Sequence, residues 1–178
     1  DSGGGRPSQD LMHALNDSKK PLIAAISGLA IGIGTTLLFH CDLVYASRDC
    51  FLQMPFTRLG LCPEAGSSYL LPRQIGHQRA SEMLLLGERM SAEQACNYGV
   101  VNAVFDQQDY LRLALEKAQQ LAALPADSVQ TSKRLIKKGS PEATRAVIQD
   151  ELVEFQRLLE TPEAQAIVQA FLAKSAAK

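Results

Sequence analysis

The segment 28–68 most constrains what this chain can fold into. An apolar run, KPLIAAIS, ends at Gly28, a second glycine turn follows at Gly32 and Gly34, and the chain then enters a helical segment, TTLLFHC. An unbroken apolar run of this kind predicts a strand that is buried on both faces. A glycine-rich turn between a strand and a helix leaves backbone N–H groups without partners. We therefore expect a cradle for a negatively charged oxygen at this turn.

A single carboxylate follows in apolar surroundings. Glu64 stands among Leu61, Cys62, Pro63 and Ala65, just before another predicted helix. Apolar surroundings raise the pKa of a carboxyl group, because desolvation disfavours its charged form. An anion cradle followed by such a carboxylate is what proton abstraction beside a carbonyl group requires. The sequence therefore indicates acid–base chemistry with Glu64 as the candidate base.

Composition and charge exclude several other classes of protein. The chain has 178 residues, of which 46% are hydrophobic, which is enough for one domain with a substantial core. Its net charge of −1 carries no signature of binding to nucleic acid or to an anionic membrane. No apolar run approaches the length that crosses a bilayer. We therefore expect no nucleic-acid or membrane partner. The three histidines and four cysteines lack metal-ligand spacing, so we also expect no metal site.

The predicted elements divide the chain into two parts. Residues 1–9 indicate a flexible segment, and Ser91 with Gln94 matches a capping box that begins a short helix. Ser140–Pro141 and Thr161–Pro162 each place a capping residue before a proline at the first helical position. The predicted strands are 22–27, 42–47, 51–54 and 100–105. The other predicted helices are 9–16, 35–41, 65–74 (interrupted by Pro72), 77–86, 107–123, 126–138, 141–160 and 162–174. We predict an α/β core over residues 1–105 and a helical region over 106–178.

Four landmarks in order resemble a known family. They are KPLIAAISGLAIGIG, CDLVYAS, PEAGSS and GERMSAEQACNYGVVNAV. Together they resemble the crotonase (enoyl-CoA hydratase/isomerase) superfamily over nearly the whole chain from about residue 11. The resemblance implies an α/β fold, a spiral of ββα units with a C-terminal helical layer, and assembly into trimers or hexamers. It also implies an acyl-CoA thioester as substrate and no cofactor, since coenzyme A is part of that substrate.

The resemblance assigns the catalytic positions residue by residue. Hydratases of the family use two glutamates, and the matching positions here hold Thr36 and Phe56, neither of which can act as an acid or base near neutral pH. Δ3,Δ2-enoyl-CoA isomerases place their catalytic glutamate in the PEAG turn, at Glu64. One base suits this reaction, because the proton leaves C2 and returns at C4 on the same face of a planar dienolate. The resemblance implies the N–H of Ile33 as an oxyanion-hole donor. The implied substrate-binding residues are Ile31, Gly32, Thr36, Pro55, Phe56 and Leu59.

A second oxyanion donor of the family lies in a segment N-terminal to these landmarks. This sequence begins after that segment, so we expect an N-terminally truncated form of the family's domain. We also expect an open sheet edge beside the first strand, which favours self-association.

Several interpretations stay open at this point. The leading hypothesis is isomerisation of a 3-enoyl-CoA. The alternatives are hydration through a water held by Glu64, and a non-catalytic acyl-CoA-binding or oligomerisation module. Glu64 is also compatible with a helix cap, and the basic residues Lys133, Arg134, Lys137 and Lys138 with either a solvated face or a contact for CoA phosphates. We expect a cytoplasmic protein, or a mitochondrial or peroxisomal one in a eukaryote.

Overall fold

Two small sheets and a set of helices make up the α/β fold of the computed structural model, which describes residues 7–176. The strands are β1 (Ile23–Ile26), β2 (Leu29–Ile31), β3 (Leu43–Ser47), β4 (Phe51–Gln53), β5 (Arg89–Ser91) and β6 (Ala103–Phe105). The helices are α1 (Pro7–Asp17), α2 (Ile33–Thr36), α3 (Ser67–Ile75), α4 (His77–Leu85), α5 (Ala92–Asn97), α6 (Tyr110–Ala122), α7 (Ala126–Ile136), α8 (Pro141–Leu159) and α9 (Pro162–Ala176). Single 3₁₀ turns follow α2 at Leu37–His40 and precede the loop to α3 at Thr57–Leu59.

The chain alternates between the two sheets. The first sheet has the order β1-β3-β6 with parallel pairs, and the second has the order β2-β4-β5 with β5 antiparallel to β4. Twice, a strand of the first sheet is followed at once by a strand of the second, from β1 to β2 and from β3 to β4. Gly28, with φ of 67°, makes the first of these crossings. The α2 turn follows β2, which places the glycine turn at the end of the second sheet.

The first strand differs from its prediction. The apolar run predicts a strand buried on both faces, but β1 is an edge strand of its sheet and Ala25 is exposed. The prediction is wrong for the described chain, because an apolar run gives composition but not the position of the strand in a sheet. Strands β2 and β5 were not predicted, because β2 lies between the two glycine turns and β5 leads directly into the capping box of α5.

The helix boundaries follow local chemistry in most places. The capping box is confirmed, with the N–H of Gln94 donating to Ser91 Oγ (3.2 Å) and the N–H of Ser91 to Gln94 Oε1 (3.0 Å). The starts of α8 and α9 at their prolines are confirmed. Thr161 Oγ1 accepts the N–H of Ala164, whereas the Ser140 side chain caps nothing.

Three helix predictions need correction. The predicted helix 35–41 is a short α-helical turn followed by a 3₁₀ turn. Pro72 does not interrupt α3, which continues to Ile75 although the proline has no N–H to donate within the helix. Residues 7–9 of the segment predicted to be flexible belong to α1, whereas residues 1–6 lie outside the described residues.

Two apolar clusters hold the described elements together. The larger one joins both sheets to α3, α4 and α5 around fully buried residues such as Leu52, Met54 and Leu71. The smaller one consists of Met12, Ala65 and Ile148, with Leu152 packed against it. Because its members come from α1, the turn before α3, and α8, the smaller cluster fixes the surroundings of Glu64.

A buried ion pair ties α7 to the segment before β3. Lys133 on α7 is 5% exposed, and its Nζ donates to Asp42 Oδ2 and to the carbonyl of Lys20, both at 2.7 Å. The interpretation of Lys133 as part of a solvated basic face or a phosphate contact is therefore wrong. A sequence shows only that a lysine is present, and the carboxylate that neutralises this one is 91 positions away, just before β3.

Candidate active site

The turn before α3 has an unusual backbone. Ala65 and Gly66 both adopt left-handed conformations, with φ of 58° and 75°. Glycine does so freely, but an alanine pays roughly 1–2 kcal/mol for it. A Cβ built on Gly66 would lie 3.0 Å from Thr144 Cγ2, so the backbone also approaches α8 closely. The turn therefore projects Glu64 from a strained and tightly packed segment.

Glu64 lies beside a cavity and is half-buried. The cavity has a volume of about 340 Å³. It is lined by Met12, Glu64, Leu152, Phe155, Gln156, Leu159 and Glu160. Burial raises the pKa of the Glu64 carboxyl, and the negative charge of Glu151 raises it further. Among the described residues, none donates a hydrogen bond to this carboxylate. Its basicity is therefore not reduced by a permanent partner.

Glu151, and not Glu64, caps α3. Glu151 Oε2 accepts the N–H of Gly66 (2.6 Å), and Oε1 accepts both the N–H (2.9 Å) and the hydroxyl (2.5 Å) of Ser68. The alternative interpretation of Glu64 as a helix cap is therefore wrong. The helix N-terminus receives its carboxylate from α8, 83 positions away from Ser68.

Sequence reasoning missed Glu151. The side chain is 7% exposed and burial raises its pKa, although its hydrogen bonds with Ser68 and Gly66 act in the opposite direction. One signal for it existed. Ile148, Leu152 and Phe155 form an apolar stripe at helical spacing, and Glu151 stands inside that stripe. A charged residue on the buried face of a helix needs a partner.

The glycine turn leaves two N–H groups available. Gly32, with φ of 57°, donates its own N–H to the carbonyl of Gln53 (2.9 Å), and its carbonyl accepts the N–H groups of Thr35 and Thr36. Ile33 and Gly34 are the first residues of α2, so their N–H groups have no intrahelical acceptor. The anion cradle expected from the sequence reduces to these two groups.

Two aromatic rings connect the glycine turn to the Glu64 cavity. Phe56 is buried and packs edge-to-face against Phe155, with ring centroids 6.3 Å apart. Phe155 lines the cavity, and a Cβ built on Gly32 would lie 3.9 Å from Phe56 Cε1. Phe56 therefore lies next to the glycine turn and contacts the ring of Phe155 that lines the cavity.

The remaining sequence-predicted residues are not at the cavity. Thr36 is fully buried, with its hydroxyl 3.5 Å from the carbonyl of Ile33, so it offers no surface to a ligand. Ile31 and Ile33 have exposed side chains, and Pro55 and Leu59 are half-buried. None of these residues lines the cavity beside Glu64. Its walls come from α1 and α8, which the sequence did not assign to the site.

Two features of the described residues bear on other kinds of site. Between residues 7 and 176, no three histidine, cysteine, aspartate or glutamate side chains are grouped so as to hold a metal ion. No helix in that range combines the length and the apolar character that spanning a bilayer demands.

Comparisons with known proteins agree with this architecture. The family described as enoyl-CoA hydratase/isomerase matches residues 3–178. Enoyl-CoA delta isomerase 2 of Rattus norvegicus is 38% identical over 143 residues, which are 80% of this chain and 37% of that protein. The 2,3-dehydroadipyl-CoA hydratase of Escherichia coli is 33% identical over 177 residues, 93% of this chain and 69% of that protein.

A solved structure gives the same result. The crystal structure of an enoyl-CoA hydratase/isomerase from Pseudoalteromonas atlantica superposes with a TM-score of 0.93 and 37% identity. The match covers 98% of this chain and 70% of that one. The chain spans little more than a third of the length of the rat isomerase.

Proposed function

This chain belongs to the enoyl-CoA hydratase/isomerase (crotonase) family, and we propose that it isomerises a 3-enoyl-CoA to the conjugated 2-enoyl-CoA. The Glu64 carboxylate takes a proton from C2 of the thioester and becomes a carboxylic acid. The electrons spread into a dienolate over the thioester oxygen, C2 and C4. Glu64 then returns the proton at C4, the double bond forms between C2 and C3, and the carboxylate is restored.

The observation that carries this proposal is the state of Glu64. A half-buried carboxylate beside a cavity with mainly apolar walls, without a hydrogen-bond donor among the described residues, is poised to accept and give back one proton. Its raised pKa brings its proton affinity nearer to neutral pH, where general acid–base catalysis is most efficient. Such catalysis typically contributes about 10²–10⁴-fold in rate.

The glycine turn supplies the second part of the proposed mechanism. The N–H of Ile33 stabilises the negative thioester oxygen of the dienolate. One donor of this kind typically accounts for about 10²–10³-fold in kcat. Only the backbone is used, so the exposed Ile33 side chain does not interfere. We further propose that the substrate is an acyl-CoA thioester, that no cofactor takes part, and that the protein assembles into trimers or hexamers.

Hydration is the second candidate. The similarity to a 2,3-dehydroadipyl-CoA hydratase, over 93% of this chain, favours it. Hydration needs one group that activates water and a proton donor for the neighbouring carbon. Thr36 and Phe56 stand where the resemblance places the two hydratase glutamates, so Glu64 would have to do both tasks through a bound water.

The test compares the wild type with Glu64→Gln on 3-hexenoyl-CoA. We expect the wild type to produce the ultraviolet absorbance of a conjugated enoyl thioester, and Glu64→Gln to lose about 10²-fold or more in kcat. Glu154→Gln is the matched control, because Glu154 is exposed and pairs with Arg157 on the surface of α8. Its rate should equal that of the wild type.

The products separate the alternatives. With 2-hexenoyl-CoA as the substrate, a Glu64-dependent 3-hydroxyacyl-CoA product and no conversion of 3-hexenoyl-CoA would favour hydration over isomerisation, because water adds across the conjugated C2–C3 double bond. Equal rates for the wild type and Glu64→Gln would refute the role of Glu64. Binding of the thioester without turnover would favour a non-catalytic acyl-CoA-binding module. A reaction in D₂O adds a further test, since a single base that moves the proton from C2 to C4 carries part of the substrate hydrogen into the product.

A further inference from the structure

We propose that Glu151 on α8 is a positioning residue, which anchors the turn that carries Glu64 by accepting one hydrogen bond from Gly66 in that turn and two from Ser68 at the start of α3. The inference rests on the proposed function where it concerns catalysis. Its structural part, that the turn depends on Glu151, stands on the contacts alone.

The Glu151 carboxylate accepts hydrogen bonds from backbone and side-chain donors at the start of α3. Gly66 and Ser68 each direct a backbone N–H at the Glu151 carboxylate, and the Ser68 hydroxyl makes the third bond. Gly66, the N-cap residue, has no side chain that could cap the helix, so the acceptor comes from Glu151 on α8. Without Glu151, buried N–H groups at this terminus would lose their acceptor. Each such loss typically costs about 1–3 kcal/mol.

The backbone next to Glu64 needs this support. Ala65 is an alanine in a left-handed conformation, and such strain persists only where the surroundings hold it. Glu151 holds the turn on one side, through Gly66 and Ser68. On the other side, Nε2 of the buried His40 lies 2.7 Å from the carbonyl of Ala65. The two side chains fix the peptide units that immediately follow Glu64.

A carboxylate is required at this position for a geometric reason. Both oxygens of Glu151 accept, one from Gly66 and the other from Ser68. A glutamine has the same shape but only one acceptor atom, so its NH₂ group would face an N–H donor of the turn. Glu151→Gln therefore keeps the volume of the side chain and loses at least one of the three bonds.

The expected kinetic result follows from the role of geometry in proton transfer. A displacement of about 1 Å in a catalytic group can cost about 10²-fold in rate. We expect Glu151→Gln to lower kcat on 3-hexenoyl-CoA by about 10–10²-fold with KM within about threefold of the wild type. In the matched control Glu154→Gln, the same change one turn further along α8, both parameters should stay at their wild-type values.

A double-mutant cycle tests whether Glu151 acts through Glu64. If it does, Glu64→Gln/Glu151→Gln should be no slower than Glu64→Gln alone, because the turn has no base left to position. If the two losses multiply instead, Glu151 acts independently of Glu64 and the proposal is overturned.

Amide hydrogen exchange supplies a readout that needs no activity. The Gly66 and Ser68 amides should exchange at least about tenfold faster in Glu151→Gln than in the wild type, and should be unchanged in Glu154→Gln. Unchanged exchange in Glu151→Gln would overturn the anchoring role. Faster exchange with an unchanged kcat would overturn the positioning role.

Two further results keep the proposals separate. If the wild type does not isomerise 3-hexenoyl-CoA, the proposed function fails, and the exchange measurement still decides the anchoring. If Glu151→Gln does not fold, Glu151→Asp replaces it, since Asp keeps the charge and withdraws the carboxylate by one methylene. A smaller loss in kcat and faster exchange of at least one of the two amides are then expected. Wild-type values for both would overturn the proposal.

Discussion

At the scale of single residues, Glu64 and Glu151 are of the same type but have different roles. Burial raises the pKa of both, but among the described residues only Glu151 of the two has hydrogen-bond donors. A carboxylate with three donors serves structure, because its lone pairs are occupied. A carboxylate with none remains available for a proton. The neighbours therefore decide the task, and those neighbours are set by tertiary structure.

The desolvated charge of Glu64 leads to a prediction for stability. A carboxyl group whose pKa is raised by folding favours the folded state below its unfolded pKa, and this contribution is lost as the pH rises through the folded pKa. The ionised Glu64 carboxylate therefore disfavours folding at pH values above the ordinary glutamate pKa of 4.5. We expect Glu64→Gln to be more stable than the wild type near neutral pH by roughly 0.5–1 kcal/mol. The gain should shrink towards acidic pH.

Denaturant unfolding at several pH values measures this difference, with Glu154→Gln as the control. Because the ion pair between Glu154 and Arg157 is exposed, Glu154→Gln should change the free energy of unfolding by no more than about 0.5 kcal/mol at every pH. A Glu64→Gln variant that is less stable than the wild type near neutral pH would contradict the account, since Glu64 would then have a stabilising partner.

Gly66 leads to a second prediction at this scale. Gly66→Ala introduces a Cβ 3.0 Å from Thr144 Cγ2 into a left-handed backbone, so we expect a loss of about 1–3 kcal/mol in the free energy of unfolding. Gly34→Ala is the control for stability, because Gly34 has no atom within 4 Å of its Cβ position and lies in α2. It should be neutral or slightly stabilising. Equal effects of the two substitutions would contradict the close approach of the turn to α8.

At the scale of elements, α8 builds most of the cavity. Glu151 anchors the turn, and Leu152, Phe155 and Leu159 follow at helical spacing and line the cavity. The sequence predicted this helix to within one residue at its end, since proline at its first position and the apolar stripe are local signals. It did not predict what the helix faces. The contact between residues 66 and 151 produces no periodic pattern in the sequence, so it could not be predicted from the sequence alone.

Phe155 carries the prediction that belongs to this scale. Phe155→Ala enlarges the cavity of about 340 Å³ and removes the edge-to-face contact with Phe56. If the acyl chain of the proposed substrate occupies this cavity, kcat/KM for 3-dodecenoyl-CoA should rise relative to that for 3-hexenoyl-CoA, by about 10-fold. The free energy of unfolding should fall by about 2–3 kcal/mol.

Val153→Ala serves as the control for this experiment, because Val153 is exposed on the same helix. It should leave the chain-length preference unchanged. If Phe155→Ala and the wild type show the same ratio of kcat/KM values for the two substrates, the acyl chain does not lie in the cavity beside Glu64.

At the scale of the whole molecule, the fold class followed from the four sequence landmarks. These landmarks are turns and strands whose residues are close in sequence, so the α/β fold and the family were predictable. The strand order was not. β1 and β2 lie at sheet edges among the described strands. The expectation of an open edge beside the first strand is thus confirmed, whereas the apolar residues of β1 and β2 alone suggest burial. Apolar composition alone does not show which surfaces remain exposed to solvent, because exposure depends on how the elements pack together.

One uncovered surface lies on the second sheet. Leu29 of β2 stands opposite Phe51 of β4, and the two are 62% and 41% exposed. Ile31 follows on the same side of β2, because side chains alternate along a strand, and is 43% exposed. An apolar sheet face beside an edge strand favours association between chains. The surface formed by Leu29, Ile31 and Phe51 is thus a candidate contact for the proposed homo-oligomer.

Leu29→Lys tests this contact, because a lysine at an edge strand opposes association both by its charge and by its hydration. We expect light scattering to give the wild type a mass above that of one chain, and Leu29→Lys a mass closer to one chain at the same concentration. Leu111→Lys is the control, since Leu111 is 52% exposed on α6, which packs against the first sheet. A wild type that stays at the mass of one chain, or a Leu111→Lys variant that dissociates equally, would show that this sheet face does not hold copies together. If Leu29→Lys reduces association and Leu111→Lys does not, the contact between copies lies on the second sheet, whether the oligomer is a trimer, a hexamer or another size.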